Sequence, residues 1–115
     1  MRFSGSLKEN RLFRRVYNRG DSSVNSFLVL YCRKNGSRQN RLGLTVSAKM
    51  GCAVRRNRLR RRLREIYRLN EEKFRPGFDL VVVARTRSMD ATYAQLERAL
   101  LTLAGRLGVL REDLP

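Results

Sequence analysis

The chain has 115 residues, 42% of them hydrophobic, and a formal net charge of +16 from 26 basic and 10 acidic residues. That length suits one domain over residues 1–115 with a modest core, and self-repulsion at this charge costs stability unless a polyanion partner offsets it. The absence of histidine excludes imidazole acid–base chemistry and imidazole-assisted nucleophiles.

Residues 8–19 read as a first helix. Ser6 is placed as its N-cap, with Glu9 at capping-box spacing. Leu12/Val16 and Phe13/Tyr17 form two adjacent stripes, and Gly20 closes the helix. Residues 22–33 read as extended, strongest at 27–32. Phe27, Val29 and Tyr31 lie on one face of that strand and Leu28, Leu30 and Cys32 on the other. A strand apolar on both sides is covered on both sides or floors a groove.

The polar run 33–40 reads as a hairpin loop. In the next strand, 41–47, Leu42, Leu44 and Val46 face a core. Gly43, Thr45 and Ser47 make a small polar face with room for a ligand. Gly51 in the following loop is either a helix-entry turn or a means for helix amides to approach a phosphate.

The helix from about 53 to 74 is the most informative element. Eight arginines fall at 55, 56, 58, 60, 61, 62, 64 and 68, yet Leu59, Leu63, Ile66, Asn70 and Phe74 keep a narrow, largely apolar stripe. One side should dock on a core while the others present guanidinium groups. Pro76-Gly77 stops it. Residues 78–84 form a β-branched run suited to a central strand. Met89 and Asp90 open a last helix with Tyr93, Leu96, Leu100, Leu103 and Leu107 as its stripe, and Gly108 closes it. The order α-β-β-β-α-β-α, with a βαβ-like unit over 41–84, predicts an α+β fold, a two-layer α/β sandwich.

The remaining chemistry points away from catalysis. Cys32 and Cys52 are twenty residues apart with no histidine, so they build no zinc site and each is expected to be a small buried hydrophobe in a reducing cytosol. No apolar run reaches the ~18 residues of a membrane span, and no signal peptide is apparent. The expectation is a cytoplasmic protein without a membrane partner. The carboxylates are scattered, Glu71-Glu72 reads as a solvated face, and Glu112-Asp113 reads as a mobile tail. No phosphate-cradling glycine loop occurs. No catalytic residue and no metal ligand are assigned.

Binding is better supported. Only Lys8, Lys34, Lys49 and Lys73 are lysine, so the basic charge is mostly arginine, which pairs bidentately with phosphate. Arg55, Arg56, Arg58, Arg60, Arg61, Arg62, Arg64 and Arg68 are the candidate phosphate contacts. Phe13 and Tyr17, set against Phe27, Val29 and Tyr31, either line an aromatic groove for single-stranded nucleic acid or are ordinary helix-on-sheet packing. Charge and size alone would equally suit a ribosomal or other structural RNA-binding protein.

The block from Arg41-Leu42-Gly43-Leu44 through Arg56-Asn57-Arg58 to Glu65 resembles the protein subunit of bacterial ribonuclease P. Arg56-Asn57-Arg58, with basic residues at 60, 61 and 64, is similar to that family's signature helix. The likeness extends over Leu7–Gly20, Phe27–Tyr31 and Phe78–Arg85. Ala48 and Cys52 depart from it, standing where the family often has Lys and Asn.

The resemblance implies a holoenzyme that removes the 5′ leader of precursor tRNA, its catalytic RNA subunit and Mg²⁺ performing the hydrolysis. By residue match, Lys49, Arg56, Asn57, Arg58, Arg60, Arg61 and Arg64 would meet the RNA subunit or the leader junction. Phe13, Tyr17, Val29 and Tyr31 would line the leader cleft. The implied βαβ crossover is left-handed, against the general rule.

Overall fold

A sheet that is apolar on both faces organises the molecule. The computed structural model describes residues 4–111. The strands are β1 (Ser4–Ser6), β2 (Asp21–Val24), β3 (Leu28–Lys34), β4 (Asn40–Thr45) and β5 (Phe78–Ala84). The helices are α1 (Asn10–Arg19), α2 (Ala53–Asn70) and α3 (Tyr93–Arg106). Strand order is β1-β4-β5-β3-β2. β4 runs parallel to β1 and β5, while β3 is antiparallel to β5 and β2.

Alternation along β5 divides the core. Leu80, Val82 and Ala84 join α2 and α3 in the larger cluster, with Leu28, Leu30, Cys32 and Leu42. Val81 and the half-buried Val83 face the other way, toward Leu12 and Val16 of α1. The α2/α3 layer on the sheet makes the expected α+β sandwich, and α1 crosses part of the opposite face. A strand covered on both sides must be apolar at every position, which accounts for the unbroken run at 80–84.

The crossover β4–α2–β5 is left-handed. Leu42 packs with Leu59 and Leu63 on the α2 side, and its carbonyl accepts the Leu7 amide at 2.9 Å, on the β1 side. For an L-residue on an ascending strand, seen from the side-chain face, the carbonyl points right. β1 therefore lies right of β4 and β5 lies left, so the chain passes in front of the sheet and moves left. Most such connections go the other way.

Several element ends differ from expectation. α1 begins at Asn10 with Glu9 at the cap and no side-chain cap; Ser6 belongs to β1, a strand too short and polar to carry a pattern. α2 ends at Asn70, and Glu71–Lys73 continue as a 3₁₀ turn. Met89 and Asp90 lie in a 3₁₀ turn, Thr86–Asp90. α3 opens later, at a reciprocal capping box between Thr92 and Gln95, so Tyr93 sits in the exposed first turn and not on the buried stripe. Glu71 is buried, not solvated. Glu112-Asp113 lies outside the described residues.

Gly20 does close α1, by close approach. A Cβ there would sit 2.5 Å from the Cys32 carbonyl oxygen and 2.6 Å from that of Val16. Buried polar groups are matched. Asn70, the odd member of the apolar stripe, donates to the Ile66 carbonyl at 2.8 Å and to Glu97 of α3 at 3.0 Å. The Tyr67 hydroxyl meets Ser4 at 2.8 Å and the Asn40 amide at 3.3 Å. Asp79, almost fully buried, accepts from Arg41 Nε and Nη2 at 2.7 and 2.8 Å.

Candidate nucleic-acid interface

α2 shows how one sequence serves a core and a surface. Leu59, Leu63, Ile66 and Asn70 are all buried, as their spacing requires, and Tyr67 joins them; Phe74 is buried beyond the helix, bridged to Leu110. Each large apolar side chain buried this way contributes ~1.5–3 kcal/mol. Like-charge pairs at helical spacing cost only ~0.2–0.5 kcal/mol each. Docking outweighs repulsion, and the arginines stay on the helix.

At roughly 100° per residue, the arginines sort into an outer face and two flanks. Arg58, Arg61, Arg64 and Arg68 point outward with Asn57. Arg56 and Arg60 lie on the flank toward β4, where Arg60 Nη2 donates to the Val46 carbonyl at 3.4 Å and Nη1 to Asn57 at 2.8 Å. Arg56 Nε donates to the Gly51 carbonyl at 3.2 Å. On the other flank Arg62 donates to the Ala91 carbonyl at 3.3 Å, and Arg55 stands 3.6 Å from the exposed Asp90.

Neutralisation is sparse. Arg68 is paired with Glu65, its Nε donating at 3.1 Å, and this pairing holds the Glu65 carboxyl below its usual range. Among the described residues Arg58, Arg61 and Arg64 make no hydrogen bond or ion pair and are exposed. They form a row of unspent guanidinium groups on a rigid helix.

The second surface is the sheet face beside α1. Phe13 and Tyr17 flank its edge with ring centroids 6.3 Å apart. Tyr17 meets Tyr31 edge-on at 4.9 Å and 80°, and its hydroxyl lies 3.1 Å from Thr45 Oγ1. Val29, Tyr31 and Val83 are half-buried. Together these groups make a shallow aromatic and β-branched cleft. Phe13, Tyr17, Val29 and Tyr31 are thus brought together, while Phe27 packs toward the α2/α3 core instead, because it precedes β3 and escapes the alternation. Thr45, expected on the small polar face of its strand, and Val83 complete the cleft; only Val83 was not singled out from the sequence, although the alternation of β5 carried that information.

The space expected at Gly43 is occupied. Gly43 is buried under the Phe13 ring, so the room left by a missing side chain serves α1 and not a ligand. The cleft and the arginine helix meet at the carboxyl end of β4. Thr45 leads to Val46, which Arg60 contacts, and on to Ser47, whose Oγ accepts the Lys49 amide at 3.2 Å in the 3₁₀ turn Ala48–Met50. Lys49 is exposed at this junction. Lys49, Arg56, Asn57, Arg58, Arg60, Arg61 and Arg64 therefore lie on a surface adjoining that of Phe13, Tyr17, Val29 and Tyr31, whereas Arg55 and Arg62 stand on the far flank of α2 and Phe27 faces the α2/α3 core. Gly51 makes the helix-entry turn at φ 129°.

The family model for ribonuclease P matches residues 1–108. The chain belongs to the ribonuclease P protein family. It is 44% identical over 104 residues to the ribonuclease P protein component of Clostridioides difficile (strain 630), covering 90% of this chain and 91% of that one. To that of Clostridium botulinum (strain Langeland / NCTC 10281 / Type F) it is 46% identical over 104 residues, covering 90% and 94%.

The solved RNase P protein of Staphylococcus aureus superposes with a TM-score of 0.85 at 31% identity, covering 94% of this chain and 99% of that one. That of Thermotoga maritima gives 0.81 at 36%, covering 88% and 96%. As a ribonuclease P protein component, the chain acts in tRNA 5′ processing with an RNA partner in the holoenzyme. No helix among the described residues is long and apolar enough to cross a membrane.

Cys52, expected to be buried, is exposed at the N-cap of α2 in this ribonuclease P protein. Backbone N–H groups of the first helical turn, chiefly that of Arg55, lower its thiol pKa. Cys32 is buried, and burial raises its thiol to about 11. The thiolate is the reactive form, so alkylation of the native protein near pH 7.5 should label Cys52 and spare Cys32. Peptide mass mapping checks this; equal labelling of both would contradict the placement.

Proposed function

We propose that the outer face of α2 docks on the RNA subunit of ribonuclease P, and that the α1–sheet cleft holds the single-stranded 5′ leader of precursor tRNA. Lys49, Arg56, Asn57, Arg58, Arg60, Arg61 and Arg64 make the first surface and the leader junction. Phe13, Tyr17, Val29 and Tyr31 line the second. The observation that carries this reading is their continuity through Thr45, Val46 and Lys49. One strand can leave the phosphate-binding helix and enter the stacking cleft without crossing an acidic surface.

In this reading the chain works as one domain in the cytoplasm and assists a reaction whose chemistry belongs to the RNA. Mg²⁺ would supply charge neutralisation and water activation there. The carboxylates among the described residues offer no ready site for a divalent ion. Asp79 is held by Arg41, Glu65 by Arg68 and Glu9 by Arg11, and no group of three His, Cys, Asp or Glu among the described residues is placed to hold a metal. The protein's own contributions are guanidinium screening of RNA–RNA repulsion and a stacking grip on the leader.

Precursor tRNA cleavage by the cognate RNA at limiting Mg²⁺ should be stimulated by the protein, and absence of stimulation would refute the assignment. Within the reconstituted complex, Tyr31→Ala should weaken precursor binding roughly 5- to 100-fold, the loss of about one stacked base. Mature tRNA, which has no leader, should bind as before. Equal losses for both RNAs would remove Tyr31 from the leader site.

A further inference from the structure

α1 carries a basic surface that neither the cleft nor α2 uses. Leu12 and Val16 are buried against the sheet, and Phe13 and Tyr17 turn toward the cleft. At about 100° per residue, Arg11, Arg15 and Arg19 fall on the flank opposite Phe13 and Tyr17, and Arg14 falls on the crest. All four are exposed. Arg11 is paired with Glu9 at 2.6 Å. Arg14, Arg15 and Arg19 make no hydrogen bond or ion pair among the described residues.

That flank overlooks the amino-terminal half of β4 and β5. Arg41, Asp79 and Arg33 stand there in register across β4, β5 and β3, on the sheet face shared by Gly43, Val81 and Tyr31. Asp79 is engaged by Arg41 at 2.7 and 2.8 Å and by the Asn35 amide at 3.1 Å. Arg33, half-buried, has no partner among the described residues. Gly20 packs on the Cys32 carbonyl, which sets the end of α1, with Arg19, alongside Arg33. Asp21 belongs to the other face of the sheet, opposite Cys32 in the register. Glu9 and Asp79 are both paired, so no free carboxylate among the described residues opposes these guanidinium groups.

We propose that this flank of α1, with Arg33 at its foot, is a second docking surface for the RNA subunit, and that it takes a double-helical segment through its phosphates. The surface offers guanidinium groups and, among the described residues, no aromatic ring, the reverse of the cleft. Single strands are held by stacking as well as charge, whereas a paired segment buries its bases and shows phosphate and ribose. Arg11, Arg15 and Arg19 are spaced ~6 Å apart along the helix axis, a row that follows one backbone. α2 packs on the opposite face of the sheet, so a straight duplex on its outer face does not reach this one. In the leader reading the tRNA body stands near Lys49, at the carboxyl end of β4. Arg33 and Arg41 lie at the other end of the sheet, which leaves the RNA subunit as the duplex within reach. That choice of source rests on the leader reading and has its own control.

The test titrates R15A/R19A with the RNA subunit alone over a range of salt. Affinity should fall ~100-fold at low salt, two charge-assisted contacts being lost, and the slope of log affinity against log salt should drop by about 1.5 units. Both side chains are exposed and unpaired, so the thermal midpoint should not fall. Once the complex is saturated with the variant, precursor and mature tRNA should bind as they do to wild type. A tethered hydroxyl-radical source locates the contact. An iron–EDTA chelate on Asn18→Cys, in a chain that also carries Cys52→Ser, should cut paired nucleotides of the RNA subunit. The same chelate on the native Cys52, at the start of α2, should cut a different segment.

A wild-type salt slope in R15A/R19A overturns the surface. So does a chelate at position 18 that leaves the RNA subunit uncut or repeats only the cuts made from Cys52. Losses confined to precursor and mature tRNA would give the flank to the substrate and overturn it as well. Tyr31→Ala separates these results from failure of the cleft reading. If Tyr31→Ala still discriminates precursor from mature tRNA, only the α1 surface is lost. If it does not, the cleft itself is misassigned.

Discussion

Replacing Arg58, Arg61 and Arg64 together with alanine is expected to weaken binding to the ribonuclease P RNA by about three orders of magnitude. These side chains spend nothing on the protein's own structure. A hydrogen bond to a charged group is worth ~1.5–3 kcal/mol, and each neutralised phosphate contributes ~0.7–0.9 to the slope of log affinity against log salt. The triple variant should therefore lose about two to three units of that slope, with its thermal midpoint unchanged or raised, since three mutually repelling charges are gone.

Arg68→Ala is the matched control. Its guanidinium is already engaged by Glu65 on the same helix, so its loss should alter affinity by only a few-fold. Salt titrations of RNA binding measure both. If the triple variant kept the wild-type slope, the outer face of α2 would not be the RNA contact.

The legible parts of this molecule are those where periodicity and burial coincide. β5 matches its expected span of residues 78–84 because a strand buried on both faces needs an unbroken apolar run bounded by polar turns. The α2 stripe held over Leu59, Leu63, Ile66 and Asn70, since residues at helical spacing within an arginine run leave no other face to bury; Phe74 is buried too, but beyond the helix, as an extended residue bridged to Leu110. Asn70 fitted that stripe for a reason visible only in three dimensions, namely Glu97 arriving from α3.

What stayed hidden was non-local. β1 has three small residues and exists because β4 offers a free edge. Ser6 was expected to cap α1, but its backbone pairs with Leu42 in the sheet. The start of α3 moved because Thr92 and Gln95 cap each other, a stronger local signal than the apolar Met89. Cys52 looked like a core residue, yet it precedes a helix whose first turn is solvated. The crossover hand is set by which side of β4 receives β1, and no single segment encodes that. For the site, the arginine surface could be read from spacing alone. The cleft could not, because Phe13 and Tyr17 would look the same in a closed core. Tyr31, Val29 and Val83 remaining only half-buried is what makes it a cleft.

Gly43→Ala should show how tightly that cleft depends on its support. A Cβ at position 43 would lie 2.6 Å from Phe13 Cζ and 2.7 Å from Cε1, with Leu7 Cδ2 at 3.3 Å. The ring must move, and with it the face of α1 that carries Tyr17. Overpacking of this kind costs ~1–3 kcal/mol, so the thermal midpoint should fall by several degrees. Leader-dependent binding should weaken with it, whereas α2 packs on the opposite face of the sheet and RNA-subunit binding should persist. Phe13→Leu in the same chain removes the clashing ring atoms and should recover most of the lost stability without recovering leader affinity, because the wall of the cleft is then gone. A double-mutant cycle in denaturant, read alongside precursor and mature tRNA titrations, measures this coupling. Additive stability losses would mean that Phe13 does not rest on Gly43, and the cleft would then need a different wall.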